Sequence, residues 1–331
     1  MGLDVGGTKT NATVLDDNGE FLVDRMIETP SRVGEGPPAA LEAIREVLQL
    51  VLHASGASAD AVRAVGLDTP GPASPYGVIA ERGATNFSQE AWWGFDFRTA
   101  VERDLGLPVI YNNDGNAAAL YAHDQLFGHD ADRRSSVSAI VGTGLGGGVI
   151  EQGDVIRGAT GMAGELGHVH IPMDGLLADD QPVPACNCGF SGDAESVASL
   201  TGLECNLLPY WLTKYPDHPV AGLPSKDAAR QIRSYGEAGD EMALKIFTQQ
   251  AQAIGHLFTV AANFTDPDAY FVGGGVIEAE PHFRSWFLEA VRDATTLRAE
   301  QVEATQFALV SDLDMAGARG SALAALHAIR P

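Results

Sequence analysis

Short apolar runs ended by glycines occur along the chain, and they predict strands that stop at sharp turns. The first run covers residues 3–5 and leads into Gly6-Gly7-Thr8-Lys9, with further apolar runs at 12–15 and 21–23. This order predicts a strand, a glycine loop and then two strands joined by a turn. Because glycine lacks a Cβ, such a loop can aim its backbone N–H groups at an anion.

The same order returns in the middle of the chain. The run at 139–141 leads into Gly142-Thr143-Gly144-Leu145-Gly146-Gly147-Gly148, and shorter runs follow at 149–150 and 155–156. A repeated unit predicts two related halves. A third apolar run ends in Gly273-Gly274-Gly275. Two hairpin-borne phosphate loops and a late glycine turn match the plan of an actin-like ATPase, in which two lobes flank a nucleotide cleft.

The glycines at 142, 144 and 147 also fit two other motifs, the dinucleotide fingerprint and the glycine loop of protein kinases. A dinucleotide loop should open a helix, whereas residues 149–156 follow the pattern of strand, turn and strand. The V-A-I-K, H-R-D and D-F-G elements of a protein kinase are absent from the sequence. Neither class is therefore expected.

Apolar positions spaced three and four residues apart predict the helices. These are expected at 37–55, 97–105, 116–127, 193–200, 227–235, 241–263, 282–295 and 315–329. The aromatic stretch 207–224 is expected to be irregular. Since no linker or low-complexity segment divides the chain, we predict two interleaved α/β lobes. One comprises 1–134 with about 315–331, and the other 135–314.

Composition limits the classes of binding partner and indicates the cellular compartment. The chain of 331 residues has 44 acidic and 21 basic residues, a net charge of −23 that argues against nucleic acid or an anionic membrane as partner. Three cysteines, two of them as Cys186-x-Cys188, fit no disulfide framework. The sequence also has no signal peptide and no apolar run long enough to span a bilayer. We expect a cytoplasmic protein.

Two further patterns place carboxylates where ligands bind. A strand predicted at 107–111 ends just before Asn113-Asp114, and a helix follows at once, which puts Asp114 at a usual ligand position in α/β sheets. Its alternative role is a plain helix cap. An earlier strand, 64–67, is expected to lead into a turn that begins at Asp68. Glu165 and His168 stand among glycines that disfavour a stable helix, so a surface pair on a helix is not expected.

Six motifs, in order along nearly the whole chain, resemble the ROK family (repressor, open reading frame, kinase) of bacterial sugar kinases. They are Asp4-x-Gly6-Gly7-Thr8-Lys9, Asn113-Asp114-x-Asn116-Ala117-Ala118, Gly142-Thr143-Gly144-x-Gly146-Gly147-Gly148, Glu165-x-Gly167-His168, Cys186-x-Cys188-Gly189-x-x-Gly192-x-x-Glu195 and Asp266-Pro267…Gly273-Gly274-Gly275. The resemblance implies a two-lobed actin-like (ribonuclease H-like) ATPase fold with a nucleotide and sugar cleft between the lobes. It implies ATP-dependent phosphorylation of a hexose hydroxyl, most often the 6-hydroxyl of glucose.

The resemblance also implies roles for single residues. Asp114 would be the general base, and Asp4 would help to hold Mg²⁺ through water. The sugar hydroxyls would be bound by Asn86, Asn113, Asp114, Glu165, His168 and Glu195. ATP would be held by Asp4, Gly6, Gly7, Thr8, Lys9, Gly142, Thr143, Gly144 and Gly146, with Gly273, Gly274 and Gly275 beside the adenosine. A homo-oligomer, specifically a dimer, is expected.

One departure concerns a structural zinc site, which the family builds from one histidine and three cysteines. Here His168, Cys186 and Cys188 keep their positions, but Asp193 stands at the fourth. A His-Cys-Cys-Asp zinc site is chemically reasonable. In the alternative, the site holds no metal and Asp193 caps the helix that follows it.

The long aromatic stretch 207–224 is a second departure and leaves the sugar open between glucose, another hexose, an amino sugar and a cyclitol. Polyphosphate also remains open as the phosphoryl donor. A non-catalytic sugar sensor would be expected to have lost Asp114 or the glycines. Repressors of the family carry a helix-turn-helix before the first glycine loop, which here begins at Gly6, so an enzyme is expected.

Overall fold

The computed structural model describes residues 1–81 and 85–330. Its strands are β1 (Gly2–Val5), β2 (Lys9–Thr13), β3 (Ile27–Pro30), β4 (Val65–Thr69), β5 (Val109–Asn113), β6 (Ser136–Val141), β7 (Leu145–Glu151), β8 (Asp154–Val155), β9 (Ala269–Gly274) and β10 (Gln306–Leu309). Its α-helices are α1 (Pro37–Ser55), α2 (Phe97–Leu105), α3 (Asp114–Phe127), α4 (Glu195–Ala198), α5 (Leu200–Gly202), α6 (Leu208–Lys214), α7 (Ser225–Glu237), α8 (Glu241–Thr265), α9 (Pro281–Ala294), α10 (Ala299–Ala304) and α11 (Leu313–Ile329).

The first compact unit contains residues 1–133, 148–164 and the chain from Asp312 onwards. Its sheet has the order β3-β2-β1-β4-β5, in which β1, β4 and β5 are parallel and β2 is antiparallel to both of its neighbours. All five residues of β4 are buried, as expected for a parallel strand that is covered on both faces. Helix α11 packs against β1 and β4. The carboxyl ends of the parallel strands therefore share one edge of the sheet.

The second compact unit contains residues 134–147 and 165–311. Strands β6, β9 and β10 are parallel and lie side by side in the order β10-β9-β6. Helix α8 buries the apolar stripe predicted from its sequence, including Met242, Ile246 and Phe258. It packs against α4, α7 and α9, which makes it the central helix of this unit.

Small residues let α11 lie close to its neighbours in the first unit. A Cβ added to Gly320 would lie 1.8 Å from the carbonyl oxygen of Ala117 in α3, and one added to Gly66 in β4 would lie 1.7 Å from the carbonyl oxygen of Ser321. Backbone atoms cannot move aside as a flexible side chain can. Glycine at these two positions is therefore a condition of the packing.

We expect Gly320→Ala to destabilise the protein by about 3 kcal/mol, the upper end of the usual cost of overpacking. In an uncrowded helix the same change would stabilise by about 1 kcal/mol, so the sign of the effect tests the close approach. Thermal unfolding of Gly320→Ala and of the control Gly34→Ala measures it, because an added Cβ at Gly34 meets nothing within 4 Å. A wild-type unfolding midpoint for Gly320→Ala would contradict the described packing.

Several elements differ from the sequence expectations. The strand expected at 21–23 is absent from the described structure: Phe21 forms an isolated bridge with Leu15, and the edge strand is β3. Val23 lies in a loop, but its side chain is buried, so an apolar residue at this position does not require a strand. The stretch 207–224, expected to be irregular, contains α6 and a 3₁₀ helix, Pro219–Gly222. Gly146 to Gly148 belong to β7 rather than to a loop.

The segment 148–164 groups with the first unit, although the sequence pattern places it in the 135–314 lobe. The lobe boundaries near residues 134 and 314 stay predictions, and Pro331, the end of the predicted 315–331 segment, lies outside the described residues. Within the described ranges, no helix combines the length and the apolar character needed to cross a membrane.

Candidate functional site

The first glycine loop connects β1 to β2 in the first unit. It is closed by a hydrogen bond from Gly6 N to Lys9 O at 2.9 Å. Lys9 begins β2, and its Nζ pairs with Glu28 Oε1 at 2.6 Å on the exposed surface. A Cβ on Gly7 would lie 2.5 Å from Oδ1 of Asn86. The structure thus places the predicted sugar residue Asn86 directly against the predicted phosphate loop.

Three aspartates lie at the ends of three neighbouring strands of the first sheet. Asp4 in β1 is paired in register with Asp68 in β4, and Asp114 follows β5 directly. Asp68 is fully buried, and its Oδ2 accepts a hydrogen bond from Ser321 Oγ at 2.8 Å. Burial, and then the charge of Asp4, raises the pKa of Asp68 well above its ordinary value.

Asp68 lies beside the predicted site residue Asp4 but was not predicted from the sequence. The prediction of a turn that begins at Asp68 is wrong, because β4 extends to Thr69. The sequence did contain a signal for Asp68. The apolar run 64–67 is followed by this aspartate, much as the apolar run 3–5 contains Asp4. Burial also raises the pKa of Asp4, whose Oδ2 accepts a hydrogen bond from Asn11 Nδ2 at 3.3 Å.

We expect Asp68→Asn to stabilise the protein, relative to wild type, increasingly as the pH rises above about 4. The folded state holds the Asp68 proton more tightly than the unfolded state, so wild-type stability falls as the pH rises towards the raised pKa. Asparagine carries no ionisable proton and can still accept the Ser321 hydrogen bond. Unfolding free energies measured for both proteins between pH 4 and pH 8 test this, and parallel curves would contradict it.

Asp114 is the first residue of α3, but it is not the helix cap. The cap is Asn113, whose Oδ1 accepts a hydrogen bond from Asn116 N at 2.7 Å. The Asp114 side chain is exposed, and its Oδ1 accepts from Gly115 N at 2.8 Å. The alternative role of Asp114 as a plain cap is therefore wrong. The positive end of the helix dipole at this position favours the carboxylate anion.

The second glycine loop lies in the second unit, between β6 and β7. It is a tight turn in which Gly142 N donates to Gly144 O at 2.9 Å. Leu145 N donates to Glu195 Oε2 at 2.8 Å, and a Cβ on Gly144 would lie 2.6 Å from the same oxygen. Glu195, predicted to bind sugar, thus lies beside the predicted phosphate loop.

Four candidate metal ligands meet in the second unit. Single ligand atoms of His168, Cys186, Cys188 and Asp193 all lie within 4.8 Å of one another. Asp193 Oδ2 is 3.4 Å from His168 Nδ1 and 3.5 Å from Cys188 Sγ, and Cys186 Sγ is 4.0 Å from His168 Nδ1. Zinc bonds of about 2.0–2.3 Å in a tetrahedron require ligand atoms roughly 3.3–3.8 Å apart. The four residues fit that ion.

Asp193 is placed so that each carboxylate oxygen suits one of the two roles that the sequence left as alternatives. Its Oδ1 accepts a hydrogen bond from Ser196 N at 2.9 Å, as a helix cap does, while Oδ2 faces the cysteines and His168. Burial alone would raise the pKa of Asp193, but hydrogen bonds from Cys186, Ser196, His168 and Cys188 outweigh it and lower the pKa. A carboxylate is therefore the favoured form.

The third glycine segment has a packing role as well as a predicted nucleotide role. Gly274 ends β9 with φ +91, and an added Cβ there would lie 1.9 Å from Val141 O in β6. A Cβ on Gly273 would lie 2.8 Å from Ile140 Cδ1. Gly275 has no such restriction, and its carbonyl accepts a hydrogen bond from Arg233 Nη1 at 2.7 Å.

Each unit holds its own group of the predicted site residues. The first unit holds Asp4, Gly6, Gly7, Thr8, Lys9, Asn86, Asn113 and Asp114. The second holds Gly142, Thr143, Gly144, Gly146, Glu165, His168, Cys186, Cys188, Asp193, Glu195, Gly273, Gly274 and Gly275. Glu165 precedes a short 3₁₀ helix, Leu166–His168. In this helix His168 N donates a hydrogen bond to the Glu165 backbone carbonyl at 3.2 Å.

Known proteins are similar to this chain across both units. The sequence model of the ROK family matches residues 1–328. A glucokinase of Halalkalibacterium halodurans is 30% identical over 310 residues, 90% of this chain and 89% of the relative. An N-acetyl-D-glucosamine kinase of Pasteurella multocida is 31% identical over 332 residues, 97% of each.

Among solved structures, a ROK family glucokinase from Streptomyces griseus, in complex with glucose and AMPPNP, is similar over 98% of both chains. The TM-score is 0.69 and the identity 26%. The two-sheet architecture described above is the actin-like ATPase fold, which confirms the fold predicted from the sequence.

Proposed function

The chain belongs to the ROK family, and we propose that it transfers the γ-phosphate of ATP to the 6-hydroxyl of glucose or of a related sugar, with Asp114 as the general base. It is a phosphotransferase of the hexokinase type. The observation that carries the proposal is that the exposed Asp114 carboxylate follows β5 directly, at the edge of the sheet where the neighbouring strands carry Asp68 and Asp4.

A carboxylate suits this reaction because phosphoryl transfer needs only a weak general base. The transition state is loose, so the sugar hydroxyl gives up its proton late, and the protein mainly positions the reactants and stabilises charge. In the proposed mechanism the oxygen of the sugar hydroxyl attacks the γ-phosphorus, the bond between the γ-phosphorus and the β,γ-bridging oxygen breaks to release ADP, and the hydroxyl proton passes to the Asp114 carboxylate. A base of this kind contributes about 10²- to 10⁴-fold.

Backbone N–H groups of the loops that begin at Gly6 and Gly142 would hold the ATP phosphates. Asp4 would hold Mg²⁺ through water, because this ion usually keeps several bound waters and the carboxylate oxygens can accept hydrogen bonds from them. Bound Mg²⁺ neutralises the charge that develops on the phosphates. The neighbour Asp68 adds a second carboxyl group beside Asp4, and its raised pKa favours the protonated, neutral form.

Polar side chains of several types would fix the sugar. The candidates are Asn86, Asn113, Asp114, Glu165, His168 and Glu195, because carboxylates and amides can each bind adjacent hydroxyls. The proximity of Asn86 to Gly7 and of Glu195 to Gly144 supports placing sugar and phosphate groups side by side. An amino sugar is the second candidate, favoured by the similarity to an N-acetyl-D-glucosamine kinase over 97% of the chain.

Zinc would be held by His168, Cys186, Cys188 and Asp193, whose ligand atoms lie within 4.8 Å of one another. Bound zinc would act structurally, since four protein ligands leave no open position for catalysis. Nδ1 is the His168 nitrogen that lies nearest Asp193 and Cys186. The ring's other nitrogen would then be left to hydrogen bond with a sugar hydroxyl.

A coupled assay of ADP release over a panel of hexoses, amino sugars and cyclitols tests the proposed function. We expect turnover with ATP and glucose or a close relative of glucose, and a parallel assay with polyphosphate tests the donor. Calorimetric titration with the same sugars separates the enzyme from a sensor. Sugar binding without ADP release, or turnover with none of the panel, would overturn the proposal.

A further inference from the structure

Helix α5, which is a single short turn, is hydrogen bonded to the carbonyl side of the second glycine loop. Leu200 N donates to Gly142 O at 3.0 Å, and Thr201 N donates to Thr143 O at 3.1 Å. The Thr201 hydroxyl adds a second hydrogen bond, from Oγ1 to Thr143 O at 2.8 Å. Two consecutive carbonyls of the loop are therefore held by one short turn.

Fixing these carbonyls also fixes the direction of two N–H groups. In a planar trans peptide the C=O and the following N–H point in opposite directions. The carbonyls of Gly142 and Thr143 point at the turn, so the N–H groups of Thr143 and Gly144 are directed to the opposite side of the loop. Aligned backbone N–H groups of this kind are what a phosphate requires.

The turn that holds the loop is itself tightly fixed. Ser199 Oγ accepts a hydrogen bond from Gly202 N at 2.8 Å, which caps α5. Behind it, Gln250 of α8 is only 4% exposed and donates to Ala198 O at 3.0 Å and to Ser199 O at 3.3 Å. Gln250 of the central helix thus fixes the segment that leads into α5, which carries the Thr201 hydroxyl.

We propose that Thr201 is a positioning residue for the donor phosphates, acting through its two hydrogen bonds to Thr143 O. The inference rests on the proposed function, in which the loop that begins at Gly142 holds the ATP phosphates. Thr201 orients that loop and needs no contact with the nucleotide. Loss of its hydroxyl should weaken ATP binding without changing how the sugar is bound.

The isosteric change Thr201→Val removes the hydroxyl, and Thr201→Ser retains it. We expect Thr201→Val to raise KM for ATP about threefold to tenfold, the range for one neutral hydrogen bond. KM for the sugar should stay within about twofold, and Thr201→Ser should return KM for ATP to the wild-type range. The matched control is Thr213→Val, which removes a similar hydrogen bond from Thr213 Oγ1 to Tyr210 O at 2.7 Å in α6. Thermal midpoints of all variants identify any general loss of stability.

An unchanged KM for ATP in Thr201→Val would overturn the inference, as would an equal rise in Thr213→Val or a failure of Thr201→Ser to restore the value. Thr201→Ala replaces Thr201→Val if the valine variant does not fold. Calorimetric titration with ATP and Mg²⁺ separates this inference from the proposed function. If the wild-type protein binds ATP but turns over no sugar, the proposed function is contradicted. If the wild-type protein turns over sugar and all variants bind ATP with equal affinity, the role of Thr201 is contradicted.

Discussion

We expect Asp114→Asn to lower kcat by about 10²- to 10⁴-fold, the contribution usual for a general base. The amide has nearly the shape of the carboxylate and keeps its hydrogen bond to Gly115, but it cannot take the sugar proton. Helix α3 should remain intact because Asn113 provides its cap. Steady-state assays of ADP release, with sugar binding measured by calorimetry, test this. The affinity for sugar should change far less than kcat.

The matched control is Asp96→Asn, the same substitution at the start of another helix of the first unit. Asp96 is a true cap: its Oδ1 accepts a hydrogen bond from Thr99 N at 2.9 Å. Since asparagine caps about as well as aspartate, this variant should keep wild-type kcat. Near-normal turnover of Asp114→Asn would remove Asp114 from its proposed role, and an equal loss in Asp96→Asn would indicate a general effect.

Elements with strong local signals could be predicted from the sequence. Helix α2 occupies the expected residues, because Asp96 caps its start and Gly106, in the left-handed conformation, ends it. Helix α1 lies between Pro37 and Gly56 for similar reasons. In such elements, residues next to each other in the chain determine both ends, so no knowledge of the tertiary fold is needed.

Elements that depend on distant partners could not be predicted in the same way. Strand β10 exists because it pairs with β9; three of its four residues are apolar but all are exposed or only partly buried, so this short apolar run does not by itself define a strand. The boundary of β4 depends likewise on register with β1 and β5, which places Asp68 inside the sheet. The sequence supplied the types of residue at the site, whereas the partner strands determined which carboxylates meet.

Asp193 shows the same limit at a single residue. Sequence motifs offered two roles, zinc ligand and helix cap, as alternatives. The structure gives each carboxylate oxygen its own neighbours, with Oδ1 at Ser196 N and Oδ2 among His168, Cys186 and Cys188. Spacing along the chain cannot separate the two oxygens of one side chain, but their positions in the fold can.

We expect protein purified without chelator to contain about one zinc ion per chain. The four ligand atoms already lie within 4.8 Å of one another, and a structural site of this kind contributes directly to folding. Removal of the metal with a strong chelator should therefore lower the thermal midpoint and weaken sugar binding through His168. Elemental analysis and thermal unfolding, before and after chelation, measure the effect.

Two substitutions at one position separate the ligand from the cap. Asp193→Asn retains an oxygen that can accept the Ser196 hydrogen bond but replaces the anionic ligand by a neutral amide, so we expect most of the zinc to be lost. Asp193→Cys restores a thiolate at the fourth position and removes the cap, so zinc should be retained while α4 loses roughly 1 kcal/mol of stabilisation. Active wild-type protein with almost no zinc, or Asp193→Asn with a full complement, would contradict the site. In that case Asp193 would act as a helix cap, and hydrogen bonds rather than a metal would orient His168.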